Sequence, residues 1–339
     1  MKIEHHGFHD DITDVQGIRV GNSQNIDAKT GVTVILPGPD GARAGIYVAG
    51  PAASTRQMDS LSPFHVVDRI HALCLCGGSA FGLDAAGGVL AFLEEQGIGL
   101  PVVGRTIPIV PAAAIFDLNL GNGAVRPDAA MGRQACQEAS SGPIEQGSVG
   151  AGTGASVGKL FGIEQAMKGG LGSASAVSDD VVVGVLVVVN AYGDITDINQ
   201  NLLAGVRIAP KSLELADSAI LLKEGKAASR RVSVENTTLS VVAVNARFNK
   251  VEASRIAAQA TLGLGRVIRP FRSQIDGDLT VVLSVGEQEV DLNRIGLLAA
   301  EALQRAVIKA IQFADGFGIL PSWQDTVRLR EHQNPEDLA

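Results

Sequence analysis

The pattern of hydrophobic and polar positions predicts strands separated by a few long helices. Runs that are rich in valine or alternate in polarity predict strands at 32–36, 71–75, 181–190, 239–245 and 279–285. Several of these runs are apolar on both faces. We therefore expect sheets that are covered on both sides.

Helical spacing of apolar residues predicts three long helices. The first covers 81–96 and ends before Gly97. The second follows Asn249, which forms a capping-box pattern with Glu252. The third covers 292–313. This mixed order, with little regular βαβ alternation, favours packed layers over a doubly wound sheet.

Composition narrows the class of protein. The chain of 339 residues is 46% hydrophobic and contains no Pro/Ser-rich linker or charge block, which predicts one domain over 1–339. Its net charge is −8 and its basic residues are scattered, an arrangement that argues against nucleic-acid binding.

Three features lead us to expect a cytoplasmic protein. The longest strongly apolar run, 181–189, is broken by Gly184 and is far shorter than the roughly 20 residues of a membrane helix. Residues 1–6 lack the apolar core of a secretory signal. No CxxC pair is formed by the cysteines, which are Cys74, Cys76 and Cys136, and this fits a reducing compartment.

A glycine-rich stretch, GSVGAGTGASVGK, occupies 147–159. A phosphate loop would require glycine at Thr153 and Ser or Thr at Leu160. A dinucleotide fingerprint, GxGxxA from Gly150 to Ala155, would require a preceding strand, and the residues before it are loop-like.

The same stretch contains a GxSxG pattern at 154–158, in which Ser156 would be a nucleophile on a strained strand-to-helix turn. A triad would need a downstream histidine, which is His332 in a polar tail. No clean strand precedes Gly154. A tight loop between packed layers is the favoured interpretation.

Three further patterns have an ordinary interpretation beside a functional one. His5, His6 and His9 could bind a metal ion, but a terminus without a carboxylate cage favours solvated histidines, and we expect no metal. DGD at 276–278 is either a hairpin turn or a catalytic pair. NTTL at 236–239 is a polar loop entering a strand or a glycosylation sequon.

In their order and spacing, these segments resemble the self-processing family that includes the L-aminopeptidase/D-esterase, the β-peptidyl aminopeptidases and nylon-oligomer hydrolase. The nylon-oligomer branch is the most similar. The matching segments cover most of the chain. They are ITDV (12–15), GIRVG (17–21), GVTVILP (31–37), GGSAFGLDAA (77–86), RPD (126–128), GAGTGA (150–155) with Lys159, Asn190, NTTL (236–239) and DGD (276–278).

The resemblance implies an α+β fold in a four-layer αββα sandwich. It also implies autocatalytic cleavage between Asn236 and Thr237. The resulting chains, 1–236 and 237–339, would stay associated and assemble into homo-oligomers. No cofactor is implied.

The resemblance also implies a role for each site residue. Thr237 matches the family's nucleophile, and Asn190 resembles the residue that helps to form the oxyanion site. Lys159 resembles the active-site lysine, while Asp276 and Asp278 match the acidic pair of the nylon-oligomer branch. The implied activity is hydrolysis of small peptides or amide oligomers through an acyl-enzyme.

One segment departs from the aminopeptidase members. Those members carry a Glu-x-Tyr pattern whose Glu meets the free amine of the substrate, whereas this chain has Ala114-Ile115-Phe116. Ala114 and Phe116 predict a less polar substrate pocket. The departure weakens the case for aminopeptidase activity.

An amino-terminal threonine suits this chemistry. A threonine hydroxyl is a poor nucleophile until a base removes its proton, and its own α-amine, with a reference pKa of about 8, is such a base. A nearby Lys159 ammonium would lower the pKa of that amine by like-charge repulsion. An amide N–H donor such as Asn190 can stabilise the oxyanion.

Two other functions stay open from the sequence. Ornithine acetyltransferase is similar to this family in using a self-exposed threonine, so acyl transfer is one alternative. The other is an uncleaved relative that binds a small ligand through the glycine-rich loop and has no catalytic activity.

Overall fold

The computed structural model describes residues 9–226 and 236–333. The strands are β1 (Arg19–Asn25), β2 (Thr30–Leu36), β3 (Ala42–Val48), β4 (Ser54–Arg56), β5 (Arg69–Ile70), β6 (Leu73–Cys76), β7 (Leu100–Val102), β8 (Arg105–Ile107), β9 (Ala112–Ala114), β10 (Ser156–Val157), β11 (Met167–Lys168), β12 (Gly170–Ser178), β13 (Val181–Asn190), β14 (Asp194–Thr196), β15 (Leu202–Ala204), β16 (Thr237–Ala246), β17 (Ile268–Arg269) and β18 (Leu279–Gln288).

The α-helices vary from one turn to six. They are α1 (Ser79–Gly82), α2 (Ala85–Glu95), α3 (Ala129–Gln137), α4 (Ser218–Lys223), α5 (Lys250–Val267), α6 (Leu292–Gln312) and α7 (Trp323–Gln333). Within residues 9–226 and 236–333, no helix is both long enough and apolar enough to cross a bilayer.

Two sheets contain most of the long strands. The larger has the order β12-β13-β16-β18-β3-β5 and the smaller has the order β1-β2-β6-β9-β4. In the larger sheet, β13 and β16 are antiparallel, while β16 and β18 are parallel. The two strands β16 and β18 therefore lie between β13 and β3, which both come from earlier in the chain.

The larger sheet is buried on both faces. Leu239 and Val241 of β16 pack in one cluster with residues of the smaller sheet such as Leu75. Val242 and Val244 belong to a second cluster, formed with residues of α5 and α6. Because alternate side chains of a strand point to opposite faces, one face of this sheet meets helices and the other meets the second sheet. This confirms that the strand is covered on both sides.

Helices α2 and α3 pack on the smaller sheet through a cluster that contains all three cysteines. Cys74, Cys76 and Cys136 are buried and free. Burial raises the pKa of the Cys74 and Cys136 thiols to about 12. The cysteines therefore stay protonated at neutral pH, which makes them poor nucleophiles.

The strand predictions are confirmed, with one shifted boundary. The predicted strands at 32–36, 239–245 and 279–285 lie within β2, β16 and β18, and 181–190 coincides with β13. The strand predicted at 71–75 begins later, at β6. His71 pairs outside that strand, since its N–H donates to Ile109 O at 2.9 Å and its Nδ1 accepts from Ile109 N at 3.1 Å.

The helix predicted at 81–96 is divided into α1 and α2, so this prediction of one continuous helix is wrong. Between the two helices, the Ala86 N–H donates to Leu83 O and the Gly87 N–H donates to Asp84 O. These i→i+3 hydrogen bonds belong to a tighter turn than an α-helix.

The other two helices are confirmed. Asn249 caps α5: its side chain accepts from the Glu252 N–H at 3.0 Å, and the Glu252 carboxylate accepts from the Asn249 N–H at 2.9 Å. This is the predicted capping box. Helix α6 matches the prediction at 292–313 to within one residue.

We expect Asn249→Ala to lower the free energy of unfolding by about 1 kcal/mol, because the first turn of α5 loses the acceptor for one of its N–H groups. Urea unfolding followed by circular dichroism measures the change. Asn249→Asp is the matched control, since aspartate keeps a capping oxygen. Equal stability of Asn249→Ala and the unmodified protein would contradict the capping role.

Candidate active site

Thr237 and Asn190 face each other across two neighbouring strands of the larger sheet, β16 and β13. Thr237 is the first residue of β16, and its partner in the ladder is Asn190, the last residue of β13. Thr237 is 5% exposed and Asn190 is 0% exposed. Because the strands are antiparallel, the end of one meets the beginning of the other. Strand pairing thus brings together the predicted nucleophile and the predicted oxyanion residue.

The peptide bond between Asn236 and Thr237 is buried in the same place. The Asn236 carbonyl oxygen accepts a hydrogen bond from Thr237 Oγ1 at 2.6 Å and another from the Gly277 N–H at 2.8 Å. The hydroxyl therefore contacts the carbonyl group of the peptide bond that precedes its own residue.

Asp276 and Asp278 flank Gly277 immediately before β18. Asp276 Oδ2 accepts from the Ser273 N–H at 2.8 Å, and Asp278 Oδ1 accepts from the Thr238 N–H at 2.6 Å. The other oxygen of each carboxyl group is buried and has no hydrogen-bond partner within the described ranges. Such half-satisfied buried carboxyls are costly unless they hold a proton.

Burial is the main reason why the pKa values of both carboxyls are raised. It raises the pKa of Asp278 to about 7, with a further upward contribution from the neighbouring Asp276 charge. Burial also raises the pKa of Asp276, while the Lys159 charge opposes that rise. Two adjacent carboxyls of this kind share protons rather than ionise together.

The Lys159 ammonium forms hydrogen bonds with Asn190. Its Nζ donates to Asn190 O at 3.0 Å and to Asn190 Oδ1 at 2.7 Å. The Ser156 N–H also donates to that Oδ1, at 3.0 Å, and Asn190 Nδ2 donates to Phe116 O at 3.1 Å. These contacts hold the amide of Asn190 in one orientation at the end of β13.

The structure ties Phe116 to this site more directly than Ala114. Phe116 contributes its carbonyl oxygen to Asn190. Ala114 is buried at the end of β9, where it pairs with Cys76 and Ser54. The two residues predicted for the substrate pocket thus have different surroundings.

The ordinary interpretation of DGD as a hairpin turn is wrong. Strand β18, which follows it, pairs with β16 and β3, while β17, which precedes it, pairs with β14. NTTL at 236–239 enters β16 directly, as its ordinary interpretation predicts.

The glycine-rich stretch forms neither a dinucleotide loop nor a nucleophile elbow. The segment Gly150–Gly152 is a 3₁₀ turn, and Ser156 lies in the two-residue strand β10, followed within the described residues 158–166 by another 3₁₀ turn, Ile163–Gln165. Both motifs require a helix at this point. The stretch is instead a tight loop whose Ser156 N–H binds Asn190.

His9 has carboxylate neighbours that the sequence pattern does not predict. The expected absence of a carboxylate cage is wrong for this residue, because ligand atoms of His9, Asp11 and Asp14 lie within 4.8 Å of one another. Both carboxylates are already acceptors: Asp11 from the Thr13 N–H and Asp14 from the Ser175 hydroxyl, among others. His5 and His6 lie outside the described residues.

A buried lysine that has no distinguishing pattern in the sequence supports the loop. Lys168 Nζ donates to the carbonyl oxygens of Gly152, Ala155 and Gly169 at 3.1, 3.0 and 2.8 Å. Burial lowers the pKa of Lys168 to about 7, although the Asp117 charge acts in the opposite direction. Lys168 thus holds the backbone that leads to Ser156.

Asp117 lies between this loop and the segment GGSAFGLDAA at 77–86. Its carboxylate accepts from the Gly78 N–H at 2.7 Å and from Thr30 Oγ1 at 2.8 Å, and burial raises its pKa to about 6. A Cβ on Gly77 would lie 1.9 Å from Asp117 Oδ2, and one on Gly154 would lie 2.8 Å from it. Glycine in both motifs makes room for this carboxylate.

Comparison with known proteins gives consistent matches along the chain. A model of peptidase family S58 matches residues 10–318. An uncharacterised aminopeptidase of Mycobacterium bovis is 37% identical over an alignment of 345 positions that covers 93% of this chain and 97% of that protein. The 6-aminohexanoate-oligomer endohydrolase of Kocuria sp. is 31% identical over 317 residues, which cover 88% of this chain and 84% of that protein.

Solved structures share the fold. A β-aminopeptidase of Burkholderia sp. has a TM-score of 0.70 at 22% identity, covering 98% of this chain and 95% of its own. The L-aminopeptidase D-Ala-esterase/amidase of Ochrobactrum anthropi, a variant of the Ntn hydrolase fold, has a TM-score of 0.71 at 18% identity, covering 99% and 97%. This protein therefore has a mixed α/β architecture similar to that of the Ntn hydrolase neighbours.

A match that extends over almost the whole chain, with relatives more than 30% identical, identifies the family and the general reaction. The protein belongs to peptidase family S58 and is a hydrolase of amide or peptide bonds.

Proposed function

We propose that the protein is a self-processing amide hydrolase whose nucleophile, Thr237, is exposed by cleavage of its bond to Asn236. One observation carries this proposal. Thr237 Oγ1 lies 2.6 Å from the Asn236 carbonyl oxygen, in a buried setting beside two carboxyls of raised pKa. The hydroxyl is therefore held at the carbonyl group that it would attack, and proximity of this kind supports the proposed chemistry.

In the proposed maturation, Thr237 Oγ attacks the carbonyl carbon of Asn236. The hydroxyl proton passes, by way of the Asp276–Asp278 pair, to the Thr237 nitrogen as the C–N bond breaks. The product is an ester between Asn236 and Thr237 Oγ. Water then hydrolyses the ester, which leaves a carboxylate on Asn236 and a free amine and hydroxyl on Thr237. Burial raises the pKa values of both carboxyls toward neutral pH, which suits such a transfer.

In the proposed turnover, the same hydroxyl attacks the substrate amide and its own α-amine is the base. The Lys159 ammonium lowers the pKa of that amine by like-charge repulsion. Asn190 contributes to the oxyanion site, and Asp276 and Asp278 orient the amine and the hydroxyl. An acyl-enzyme forms and water releases it.

The family match favours hydrolysis over acyl transfer of the ornithine-acetyltransferase type and over a non-catalytic binding role. Relatives named as an aminopeptidase and as a 6-aminohexanoate-oligomer endohydrolase support small peptides or amide oligomers as the substrate class. We propose that Ala114 and Phe116 make the substrate pocket less polar than in the aminopeptidases.

We further propose that residues 1–339 form one domain, a four-layer αββα sandwich. The packing of helices on the larger and the smaller sheet, and of the two sheets on each other, supports this arrangement. In the proposed mature form, chains 1–236 and 237–339 stay associated and assemble into homo-oligomers in the cytoplasm.

Thr237→Ala should leave one uncut chain without amidase activity, because no hydroxyl remains to attack Asn236. Thr237→Ser should retain part of both cleavage and activity. Intact mass and amino-terminal sequencing measure the outcome, with the smaller product of the unmodified protein expected to begin at Thr237. As a control, Thr238→Val removes the neighbouring hydroxyl and should still be cut. Two chains from Thr237→Ala would rule out this nucleophile.

The raised pKa of Asp278 predicts how stability depends on pH. The folded carboxyl holds its proton to about pH 7, whereas an unfolded aspartate loses it near pH 4. The folded state binds more protons across this window, so the free energy of unfolding should fall as the pH rises from 5 to 8.

This dependence is measured by urea unfolding of the uncut Thr237→Ala protein. Adding Asp278→Asn should weaken it, because asparagine keeps an oxygen for the Thr238 N–H but does not titrate. Adding Asp40→Asn instead, at an exposed position, is the control for the change in net charge. A steep fall that persists in Asp278→Asn would assign the effect to other groups.

Lys159→Met should move the acidic limb of the kcat/KM profile to higher pH. Without the neighbouring ammonium, the pKa of the Thr237 α-amine rises. The profile is recorded with a chromogenic amide on the fraction that matures during long incubation. Lys159→Arg retains the charge and should leave the limb nearer its original position. An unmoved limb in Lys159→Met would exclude this electrostatic role.

A further inference from the structure

The main-chain N–H of Gly277 is aimed at the carbonyl group of the bond proposed to be cut. It donates to the Asn236 oxygen at 2.8 Å, and Thr237 Oγ1 contacts the same oxygen. This oxygen would carry the negative charge when the hydroxyl attacks. A donor already in place there stabilises the developing charge without any rearrangement.

This hydrogen bond is separate from the regular ladder. The parallel pairing of β16 with β18 begins at Leu239 and Leu279. Before it, the Thr238 N–H donates to the Asp278 side chain instead of to a strand carbonyl. Asn236 and Asp276 form an isolated bridge. The Gly277 N–H thus lies just before the regular ladder begins, where the main chain approaches the Thr237 hydroxyl.

The peptide groups beside this donor are held on both sides. The Ala52 N–H donates to Asp276 O at 3.0 Å, and the N–H groups of Ala49 and Gly50 donate to Asp278 O at 2.8 and 3.0 Å. The segment before β4 therefore fixes the carbonyls that flank Gly277. A donor fixed in this way costs little to orient during the reaction.

Only glycine leaves room for this arrangement. A Cβ at position 277 would lie 2.6 Å from Thr237 Oγ1 and 2.9 Å from the Ala52 carbonyl oxygen. Both distances are far below normal van der Waals contact. The central residue of the DGD motif therefore contributes its main chain, while the two flanking residues contribute carboxyls.

We infer that the Gly277 N–H is an oxyanion donor, first for the carbonyl of Asn236 and, once that residue has left, for the carbonyl of the substrate. The inference rests on the proposed cleavage. As the bond from Thr237 Oγ to the carbonyl carbon forms, the π electrons of the C=O bond move onto the oxygen that faces Gly277. They return when the C–N bond breaks and the amine receives the hydroxyl proton.

The other predicted donor, the Asn190 side chain, also bonds a main-chain carbonyl before cleavage. Asn190 Nδ2 donates to Phe116 O at 3.1 Å. The Gly277 N–H already donates a hydrogen bond to the Asn236 carbonyl oxygen in the uncut chain. The substrate carbonyl is attacked by the same hydroxyl, so its oxygen takes the position that the Asn236 oxygen vacates.

Replacing glycine by glycolic acid at position 277, through a suppressor tRNA during cell-free synthesis, removes this N–H and adds no atom beyond the ester oxygen. The folded precursor should cleave roughly 100- to 1000-fold more slowly, the usual effect of losing one oxyanion donor. Cleavage is followed by intact mass over time, and folding by circular dichroism.

The matched control is glycolic acid at Gly97, whose N–H donates to Glu94 O at 2.9 Å at the end of α2. It also loses one main-chain hydrogen bond, yet it should be cut at the unmodified rate. Unmodified cleavage of the Gly277 ester would overturn the inference and leave the proposed function intact. Failure of the unmodified protein to be cut would instead overturn the proposed function.

A second measurement uses the mature enzyme with its natural backbone. A boronic acid bound to Thr237 presents a negatively charged tetrahedral centre, and the ¹⁵N-glycine spectrum is recorded with and without it. Carbonyl-¹³C aspartate labelling selects the amides of the three Asp-Gly pairs, which are 40–41, 276–277 and 315–316. The other two are assigned by their absence in Asp40→Asn and Asp315→Asn, and the remaining signal, that of Gly277, should move downfield. A Gly277 signal that does not move would exclude the inference even if the ester variant fails to fold.

Discussion

The site depends on the antiparallel register between β13 and β16, because this register brings its two strand-end residues together. It sets Asn190 opposite Thr237 at the ends of two buried strands. A shift by one residue would turn all side chains of β16 to the opposite face, and the two clusters that cover this sheet would exchange their residues. The apolar alternation of β16 therefore positions Thr237 as firmly as any contact at the site does.

Burial then gives the polar groups of the site their properties. The carboxyls of Asp276 and Asp278 are surrounded by protein, so their pKa values rise and protons remain available near neutral pH. Lys168 and Asp117 are also buried. Lys168 donates to three main-chain carbonyls, and Asp117 accepts from the Gly78 N–H and the Thr30 hydroxyl. The supporting charges and the reacting groups are thus held in the same low-dielectric interior.

Much of this arrangement could be predicted from the sequence. Hydrophobic periodicity located the long strands and helices, because burial on one or both faces leaves a regular pattern. Resemblance to a family gave the candidate residues Thr237, Asn190 and Lys159, since short motifs in a fixed order carry that information. The capping box at Asn249 could be predicted equally well, because it depends only on residues that are close in sequence.

Other features depend on contacts that leave no local pattern. Lys168 is a single lysine in the sequence, and only the folded loop brings carbonyl oxygens around it. Gly277 contributes an N–H group that every residue but proline possesses, so its identity alone indicates a turn. The break between α1 and α2 interrupts a sequence whose apolar spacing continues through it. His9 meets two carboxylates because a 3₁₀ turn folds them toward it.

The order of strands in the larger sheet has a consequence for the molecule after the proposed cut. Strands β16 and β18 follow residue 236, yet they are inserted between β13 and β3, which precede it. The two polypeptides would be interleaved within one sheet, and the shorter could leave only by breaking a ladder on each side. The two polypeptides would therefore unfold together as one unit that has an additional carboxyl terminus and an additional amino terminus. They would not be exchanged between molecules as separate subunits are.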